Sequence, residues 1–331
     1  MTDSVWLTWK DHRRSQNIAS AFDAEYVVLE SRSAYLWRVL VLSLRTTWFL
    51  LKRRPRVVYV QNPSQALASL CCWLKPWLRF FLVVDRHSNF KLESLHSWNP
   101  KLMLFHWLSR QSVRLSDLTI VTNQPLSQMV DEWGGRGAVL PDRLPQMPRT
   151  TVWQQQPSQP NVAVFVANFD DEEPWDALFD AMRRHTTQWH LYVTGNYKRA
   201  GFEPPPDLVN VTFTGFLSDA DYIAVLDRSD LVIVLTDDEN LLNCGSYEAV
   251  QLGKPMVLTG TRAIREYFHL GAIYVDNSAD QLSAALDAFC QRQESLRQEV
   301  TALKVELERS WPHQLQQVRR AIPTTGLASQ P

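Results

Sequence analysis

Short apolar runs alternate with longer stretches of helical periodicity along most of this chain of 331 residues. In the first half, the apolar runs predict strands at 5–8, 24–29, 57–60, 81–84 and 118–121. In the second half, they predict strands at 161–166, 189–194, 209–213, 231–235, 256–258 and 272–275. Because helical patterns fill the intervals, the chain is predicted to form parallel, doubly wound α/β sheets.

The length and one proline-rich segment predict two domains. A chain of 331 residues is large for a single hydrophobic core. Residues 141–160 hold five prolines and a glutamine run, which is typical of a linker. We therefore predict a first domain at 1–145, a linker at 146–160, a second domain at 161–310, and a terminal helix and tail at 311–331. The helical pattern itself runs from 279 to about 320.

Charge is distributed unevenly between the two halves. The formal net charge is −1, but residues 1–150 carry 20 Lys and Arg against 11 Asp and Glu, a net charge of +9. The rest of the chain has a net charge of −10. Such a split predicts that the first half meets an anionic partner, and a membrane surface fits the neighbouring apolar segments better than nucleic acid.

Those apolar segments lie at 35–56 and 71–81. The first is about as long as a membrane span, but Arg38 and Arg45 interrupt it, each at a cost on the order of 3 kcal/mol at a bilayer centre. Arg38, Arg45 and Lys52 recur every seven residues and share one helical face, as on an interfacial helix. The alternative is that both segments are ordinary helices packed on a sheet.

The sequence carries few signals that indicate a cellular compartment. The amino-terminal residues show no basic stretch followed by an apolar core, so no secretory signal is predicted. Cys71, Cys72, Cys244 and Cys290 are spaced neither as zinc ligands nor as a disulfide framework. We expect a cytoplasmic protein, peripheral on the cytoplasmic face of the membrane.

The most informative segment is 237–255. It follows the apolar run 231–235 with an acidic loop and then a short helix, which begins near Gly245 and ends at Gly253 and Pro255. A loop from a parallel strand into a helix amino terminus is a common binding site for phosphorylated ligands. The amides of 243–246 are the predicted phosphate cradle, and Glu248, one turn into the helix, is placed to accept hydrogen bonds from ribose hydroxyls.

This segment resembles the nucleotide-sugar site of the GT-B glycosyltransferases. Two Rossmann-like domains, a proline-bearing linker and a long terminal helix resemble their architecture over nearly the whole chain. The strongest part is 190–276, where Gly195, the 211–216 block and Glu248 follow the family's order. The resemblance implies two domains facing a cleft, with the donor on the second domain, the acceptor on the first, and no metal ion.

Several residues are expected to bind the donor. Lys198 or Arg199 would neutralise a diphosphate, unless they lie in an ordinary exposed turn. Phe216 stands where family members hold the nucleobase, or it is a simple core aromatic residue. The full expected set is Gly195, Asn196, Lys198, Arg199, Phe216, Asp238, Glu239, Asn243, Cys244, Gly245, Ser246 and Glu248.

Two departures from the family pattern concern the same site. The family's paired glutamates would place the first at Asn240, whereas Glu239 is one position off, so Asp238, Glu239 and Asn240 all remain candidates for the sugar hydroxyls. The basic residue common after the first strand of the donor domain is also missing, and acidic residues occupy 170–173. Stabilisation of the leaving group therefore falls to Lys198, Arg199 and the helix amino terminus.

On the acceptor side, the loop after the first strand lacks glycines, so His12, Arg13 and Arg14 would bind a phosphate by their side chains, unless they are merely solvated. Asp85 and His87 follow another strand and are the catalytic candidates. Either can serve as the base for the acceptor hydroxyl or stabilise the developing sugar cation, with the Asp orienting the His. A purely structural histidine is the alternative.

The first domain is also similar to the mannosyltransferases that extend lipid-linked chitobiose. The matching segments are 60–63, 84–89, 139–143 and 170–174, and Asn62 in the first of them is an expected acceptor-binding residue. We thus expect a glycosyltransferase of hexosyl groups that takes a UDP- or GDP-sugar and no other cofactor. Its acceptor would be lipid-linked or a polysaccharide at the membrane. A nucleotide-sugar epimerase and a non-catalytic partner subunit of the same fold are the alternatives.

Overall fold

The computed structural model describes residues 3–32, 34–62, 64–87, 90–155, 157–169 and 173–323, apart from the side chains of Arg13, Asn62 and Glu93. The chain divides into two compact units. The first comprises Met1–Asp142 with Trp311–Pro331, and the second comprises Arg143–Ser310. Residues 143–160 of the proline-rich segment are therefore part of the second unit, and residues from Trp311 onward are part of the first.

The first unit contains a parallel sheet of six strands in the order β2-β1-β3-β4-β5-β6. Its elements are β1 Ser4–Thr8, α1 Arg13–Ala21, β2 Glu25–Val28, α2 Tyr35–Arg53, β3 Val57–Asn62, α3 Gln65–Leu78, β4 Phe81–Arg86, a 3-10 turn at Leu92–Ser94, α4 Pro100–Leu115, β5 Leu118–Val121, α5 Gln124–Glu132 and β6 Gly137–Val139. The five strands predicted for this half are confirmed.

The two faces of this sheet are covered by different helices because side chains alternate along each strand. Val5 and Leu7 of β1 share a core with residues of α2 and α3. Trp6, between them, faces the other core, which contains Ile18 of α1 and Trp311 of the carboxyl-terminal helix. The indole Nε1 of Trp311 donates to the carbonyl of Pro141 at 3.1 Å, which fixes this helix end to the first unit.

The second unit repeats the architecture, with parallel strands in the order β12-β11-β10-β7-β8-β9. Its elements are β7 Asn161–Phe165, α6 Trp175–Arg184, β8 Trp189–Thr194, β9 Val211–Gly215, α7 Asp219–Arg228, β10 Leu231–Val234, α8 Cys244–Leu252, β11 Met256–Thr259, α9 Arg262–Tyr267, β12 Ala272–Val275 and α10 Ala279–Arg320. The predicted strands and the long terminal helix are confirmed, so the α/β fold class is established.

Candidate functional site

The amino terminus of α8 follows β10 as the sequence predicted. Asn243 precedes the helix in an extended conformation, and its side chain makes no capping hydrogen bond. The helix ends at Gly253, whose φ of 71° is the left-handed conformation that favours glycine. The backbone N–H of Ser246 donates to the carbonyl of Asn243 at 3.2 Å. The positive end of the helix dipole favours an anion at this terminus.

Gly245 allows α8 to start close to the sheet. A Cβ at this position would lie 3.0 Å from side-chain atoms of Val166 and Val234. Cys244 at the first position of the helix is exposed, whereas Gly245 and Ser246 are buried. The predicted phosphate cradle is therefore a backbone surface with one exposed residue at its edge.

Glu248 lies in the second turn of α8 and is half-buried. The hydroxyl of Tyr222 on α7 donates to its Oε2 at 2.5 Å. A carboxylate has about four acceptor positions and can accept more than one hydroxyl. Tyr222 lies 26 residues earlier in the chain, and no local pattern predicted its contact with Glu248.

The loop between β10 and α8 separates the three candidates for the sugar hydroxyls. Asp238 closes a local turn, in which its Oδ1 accepts from the backbone N–H of Asn240 at 2.8 Å. Glu239 instead lines a cavity of about 400 Å³ together with Arg265 and Asn277. Of the three residues, Glu239 is thus the one that the structure places at a ligand-sized space.

The ends of β8 and β9 hold five more of the predicted donor residues. Gly195 has a φ of 95°, and a Cβ there would overlap the carbonyl oxygen of Ala167, so glycine is required locally. Asn196 accepts from the backbone N–H of Arg199 at 3.1 Å. Lys198 and Arg199 have no carboxylate partner among the described residues. Phe216 is 84% exposed, which excludes the alternative of a core aromatic residue.

One residue of the acidic segment after β7, Glu173, has a structural role. Both carboxylate oxygens of Glu173 accept backbone N–H groups, from Asn168 at 2.9 and 3.0 Å and from Phe169 at 2.8 Å. Phe169 has a φ of 60°, so this carboxylate stabilises a tight loop. The remaining acidic residues of the segment, 170–172, lie outside the described residues.

In the first unit, the structure brings Asp85 and His87 together at the carboxyl end of β4. The Nδ1 of His87 lies 3.1 Å from Oδ2 of Asp85, which is buried completely. The Nη2 of Arg14 donates to the other oxygen of Asp85 at 2.9 Å, and Nη1 donates to Asp142 at 2.5 Å. Arg14 also donates to the carbonyl of Leu140 at 3.0 Å.

The expectation that Arg14 binds a ligand phosphate is therefore wrong, because two carboxylates already occupy its buried guanidinium. Burial would raise the pKa of Asp85, but the charges of Arg14 and His87 outweigh it and hold that pKa well below its ordinary value. Burial alone would lower the pKa of Arg14, but the negative charges of Asp142 and Asp85 outweigh burial and raise that pKa above its ordinary value. Sequence alone gave no signal for contacts across 71 and 128 residues.

His12 lies beside this network. Its ring centroid is 5.3 Å from that of His87, and burial, followed by the charge of His87, lowers the pKa of His12. The adjacent loop is held by the hydroxyl of Tyr26, which donates to Asp11 at 2.8 Å. The side chains of Arg13 and Asn62, the other predicted acceptor-binding residues, lie outside the described residues.

Comparison with known proteins connects the second unit to a family and the whole chain to a fold. Residues 160–292, most of the second unit, match the family model described as Glycosyl transferases group 1. The chain has the GT-B fold. No curated protein sequence matches the chain significantly.

Solved structures of low sequence identity share this fold. HepE of Anabaena, in complex with UDP-glucose, has a TM-score of 0.65 at 16% identity, over 94% of this chain and 91% of that chain. Sucrose-phosphate synthase of Thermosynechococcus elongatus has a TM-score of 0.64 at 14% identity, over 89% and 79%. A putative UDP-N-acetylglucosamine 2-epimerase of Listeria monocytogenes has a TM-score of 0.56 at 13% identity, over 87% and 80%.

The first unit exposes many large apolar side chains on α2, α3 and α4. Only Leu42, Thr46 and Leu50 of the 19 residues of α2 are buried. Trp77 at the end of α3 is 84% exposed, and Trp98, just before α4, is 91% exposed. The other strongly exposed apolar residues of these segments are Tyr35, Leu36, Trp37, Leu40, Leu44, Trp48, Leu51, Trp73, Met103, Leu104, Trp107 and Leu115.

The basic residues predicted on α2 are also at the surface. Arg38 lies 5.6 Å from the ring centroid of Tyr35, and Lys52 lies 4.9 Å from that of Trp48. Arg45 donates to the carbonyl of Glu30 at 3.0 Å. None of the described helices is both long and apolar enough to span a membrane. The alternative that α2 is an ordinary packed helix does not explain its exposed tryptophans.

Proposed function

We propose that the protein transfers a hexosyl group from a nucleotide-sugar donor to a lipid-linked or polysaccharide acceptor at the cytoplasmic face of a membrane. The observation that carries the donor assignment is the amino terminus of α8, where the Asn243 side chain makes no capping bond, with Glu248 one turn inside the helix. The neighbour HepE is solved with UDP and with UDP-glucose, which supports a UDP-sugar ahead of a GDP-sugar.

In this proposal, each predicted donor residue has a role that follows from its surroundings. The exposed ring of Phe216 stacks on the base, and the first-turn amides of α8 bind the diphosphate. Lys198 and Arg199 neutralise the leaving diphosphate, because their charges are not paired with described carboxylates. Glu239 binds sugar hydroxyls at the adjoining cavity. No cofactor other than the donor is required, and the reaction is proposed to proceed without a metal ion.

The Asp85–His87 pair supplies the acid–base group on the first unit. Because Nδ1 of His87 faces Asp85, its Nε2 is the nitrogen left to accept a proton from the acceptor hydroxyl. Asp85 fixes the orientation of the His87 ring and stabilises the imidazolium that forms. A buried carboxylate commonly has this role beside a histidine base. His12, Arg13 and Asn62 are the proposed contacts to the acceptor.

The membrane assignment rests on the exposed aromatic residues of α2, α3 and α4 and on the net charge of +9 in residues 1–150. Contiguous exposed apolar groups mark interaction surfaces, and tryptophan favours the interface between lipid headgroups and acyl chains. The basic side chains match an anionic leaflet in sign. We propose peripheral binding of the first unit to anionic lipid, which brings a lipid-linked acceptor to the enzyme.

A donor assay separates this function from its alternatives. Purified protein is incubated with labelled UDP- and GDP-sugars, with and without an extract of membrane lipids. We expect label in the lipid-extractable product only when the extract is present. Epimerised donor without any acceptor would replace the proposal with an epimerase. Donor binding with no turnover under any condition would favour a non-catalytic partner subunit.

A further inference from the structure

Three charged side chains of the first unit form a buried chain that ends at His87. Arg14 and Asp85 have 6% and 0% exposure, and Asp142 at the outer end is partly exposed. Arg14 donates to both oxygens of Asp85, through Nη2 to Oδ1 at 2.9 Å and through Nε to Oδ2 at 3.2 Å, and Oδ2 also lies 3.1 Å from Nδ1 of His87. The order is therefore Asp142, Arg14, Asp85, His87, with alternating charge up to the histidine.

This order has a consequence for the carboxylate that faces His87. A buried carboxylate with no other partner would favour protonation of a neighbouring histidine strongly. Arg14 opposes that influence, because its positive charge lies on the same carboxylate. Asp142 in turn offsets part of the charge of Arg14, at an N–O distance of 2.5 Å.

We propose that Arg14 and Asp142 are positioning residues for the catalytic step. Arg14 fixes the Asp85 carboxylate against His87, and Asp142 sets how strongly Arg14 opposes it. The pair thereby determines how readily His87 takes up a proton. This inference rests on the proposed role of His87 as the base.

The direction in which each substitution moves the pH profile follows from the charged and titratable groups around His87. Among the described residues, these are Asp85 from β4, Arg14 from α1, His12 from the loop before α1, and, through Arg14, Asp142 from the segment after β6. Arg14→Gln removes a positive charge, so His87 should hold its proton to a higher pH. Asp142→Asn removes one of the two negative charges that oppose Arg14, so His87 should lose its proton at a lower pH.

The experiment measures the pH dependence of kcat/KM for transfer and, separately, the NMR titration of the histidine ring signals. The His87 signal is identified by its loss in His87→Ala. We expect the acid limb of the profile and the midpoint of the assigned ring signal to move to higher pH in Arg14→Gln and to lower pH in Asp142→Asn. Arg14→Lys, which keeps the charge, should restore most of the parent profile.

Matched charge changes come from an exposed pair in the same unit. Arg56 and Asp3 lie 3.5 Å apart, and both are more than half exposed. Arg56→Gln and Asp3→Asn should leave both the acid limb and the His87 signal in place. If the acid limb and the His87 signal moved as far in these controls as in the Arg14 and Asp142 variants, only the total charge of the unit would matter. That result overturns the proposal.

The outcomes also distinguish this inference from the proposed function. Transfer that survives His87→Ala contradicts the assignment of the base, whatever Arg14 does. If His87→Ala is inactive but Arg14→Gln and Asp142→Asn leave the His87 titration unchanged, or move it in the same direction, the positioning role is wrong. Should Arg14→Gln fail to fold, Asp142→Asn decides alone, because it keeps the buried Arg14–Asp85 pair, and an unmoved His87 titration in it overturns the proposal.

Discussion

Glu248 is the residue on which the donor assignment depends most directly. Its carboxylate is half-buried and accepts the hydroxyl of Tyr222, and in the proposed complex it also forms a charge-assisted hydrogen bond to a ribose hydroxyl. We predict that Glu248→Ala weakens nucleotide binding by about 1–3 kcal/mol without unfolding the protein. Calorimetric titration with UDP and GDP measures the change.

Tyr222→Phe is the matched control, because it removes only the hydroxyl that donates to Glu248 and keeps the Glu248 carboxylate. We expect its nucleotide affinity to stay close to that of the parent. If Glu248→Ala binds every nucleotide as tightly as the parent does, the ribose assignment is wrong. A loss of equal size in both variants would mean that the Tyr222 contact, rather than a bond to ligand, carries the effect.

His87 is the second residue with a sharp expected phenotype. Because it belongs to the first unit and to the chemical step, His87→Ala should abolish transfer and leave donor affinity unchanged. A working acid or base contributes about 10²–10⁴-fold to the rate. Turnover within about tenfold of the parent would contradict the assignment. His313→Ala, which removes an exposed histidine of α10, should have no effect.

The residues that sequence could and could not reveal differ in the range of their contacts. The start and end of α8 were predictable, because Gly253 and Pro255 are local signals in the chain itself. The proximity of Asp85 and His87 was also predictable, because they are two residues apart at the end of a strand and side chains at that spacing point to the same face. The bonds of Arg14 to Asp85 and Asp142 depend on three separate elements, and no local pattern encodes them.

At the level of elements, most strands were predictable from apolar runs, and the errors have physical causes. β6 was missed because it has only three residues and begins at Gly137, so it carries no periodicity. β9 begins at Val211 rather than at residue 209, and Val209 is 76% exposed. The bounds of α2 were recognisable from its seven-residue repeat, but its poor burial is a tertiary property.

The junction of β8 with its following loop gives a prediction about stability. Gly195 combines a φ of 95° with the close approach of Ala167, so an alanine there is strained and overlaps its neighbour. We predict that Gly195→Ala lowers the free energy of unfolding by roughly 2–4 kcal/mol. Urea denaturation followed by tryptophan fluorescence measures this quantity.

Gly201→Ala separates the two contributions. Gly201 also has a positive φ, of 73°, but no atom lies within 4 Å of a Cβ built there. It should cost only the backbone strain, about 1–2 kcal/mol. Equal losses in the two variants would show that the approach of Ala167 adds nothing, and that conformation alone requires glycine at position 195.

At the scale of the whole molecule, the uneven charge and the exposed aromatic residues lead to a membrane prediction. Each basic side chain near an anionic bilayer contributes roughly 1 kcal/mol, and the attraction decays within a Debye length, about 10 Å at 0.1 M salt. Co-sedimentation with anionic vesicles should therefore weaken as salt rises. Replacing five basic residues by Gln should release the protein without lowering nucleotide affinity; these residues are Arg38, Arg45, Lys52, Arg53 and Arg54.

The five charges are not equivalent, and the structure ranks them. Arg53 is paired with Glu25 at 2.8 Å, and Arg45 is bonded to a carbonyl. Arg38, Lys52 and Arg54, which are all exposed, should therefore account for most of the release. A control set in the second unit should remain bound to vesicles; it comprises Arg183, Arg184, Arg228, Arg262 and Arg292, all exposed.

Apolar insertion is tested separately from charge. Trp37, Trp48 and Trp77 are all more than half exposed, so their replacement by Ala should cost little folding stability and yet reduce binding that survives at high salt. Salt-resistant binding is expected because burial of an indole in the interface is not screened by ions. If the parent protein ignores anionic vesicles even at low salt, the exposed helices serve another contact. The acceptor is then more simply a soluble glycan that reaches the enzyme from solution.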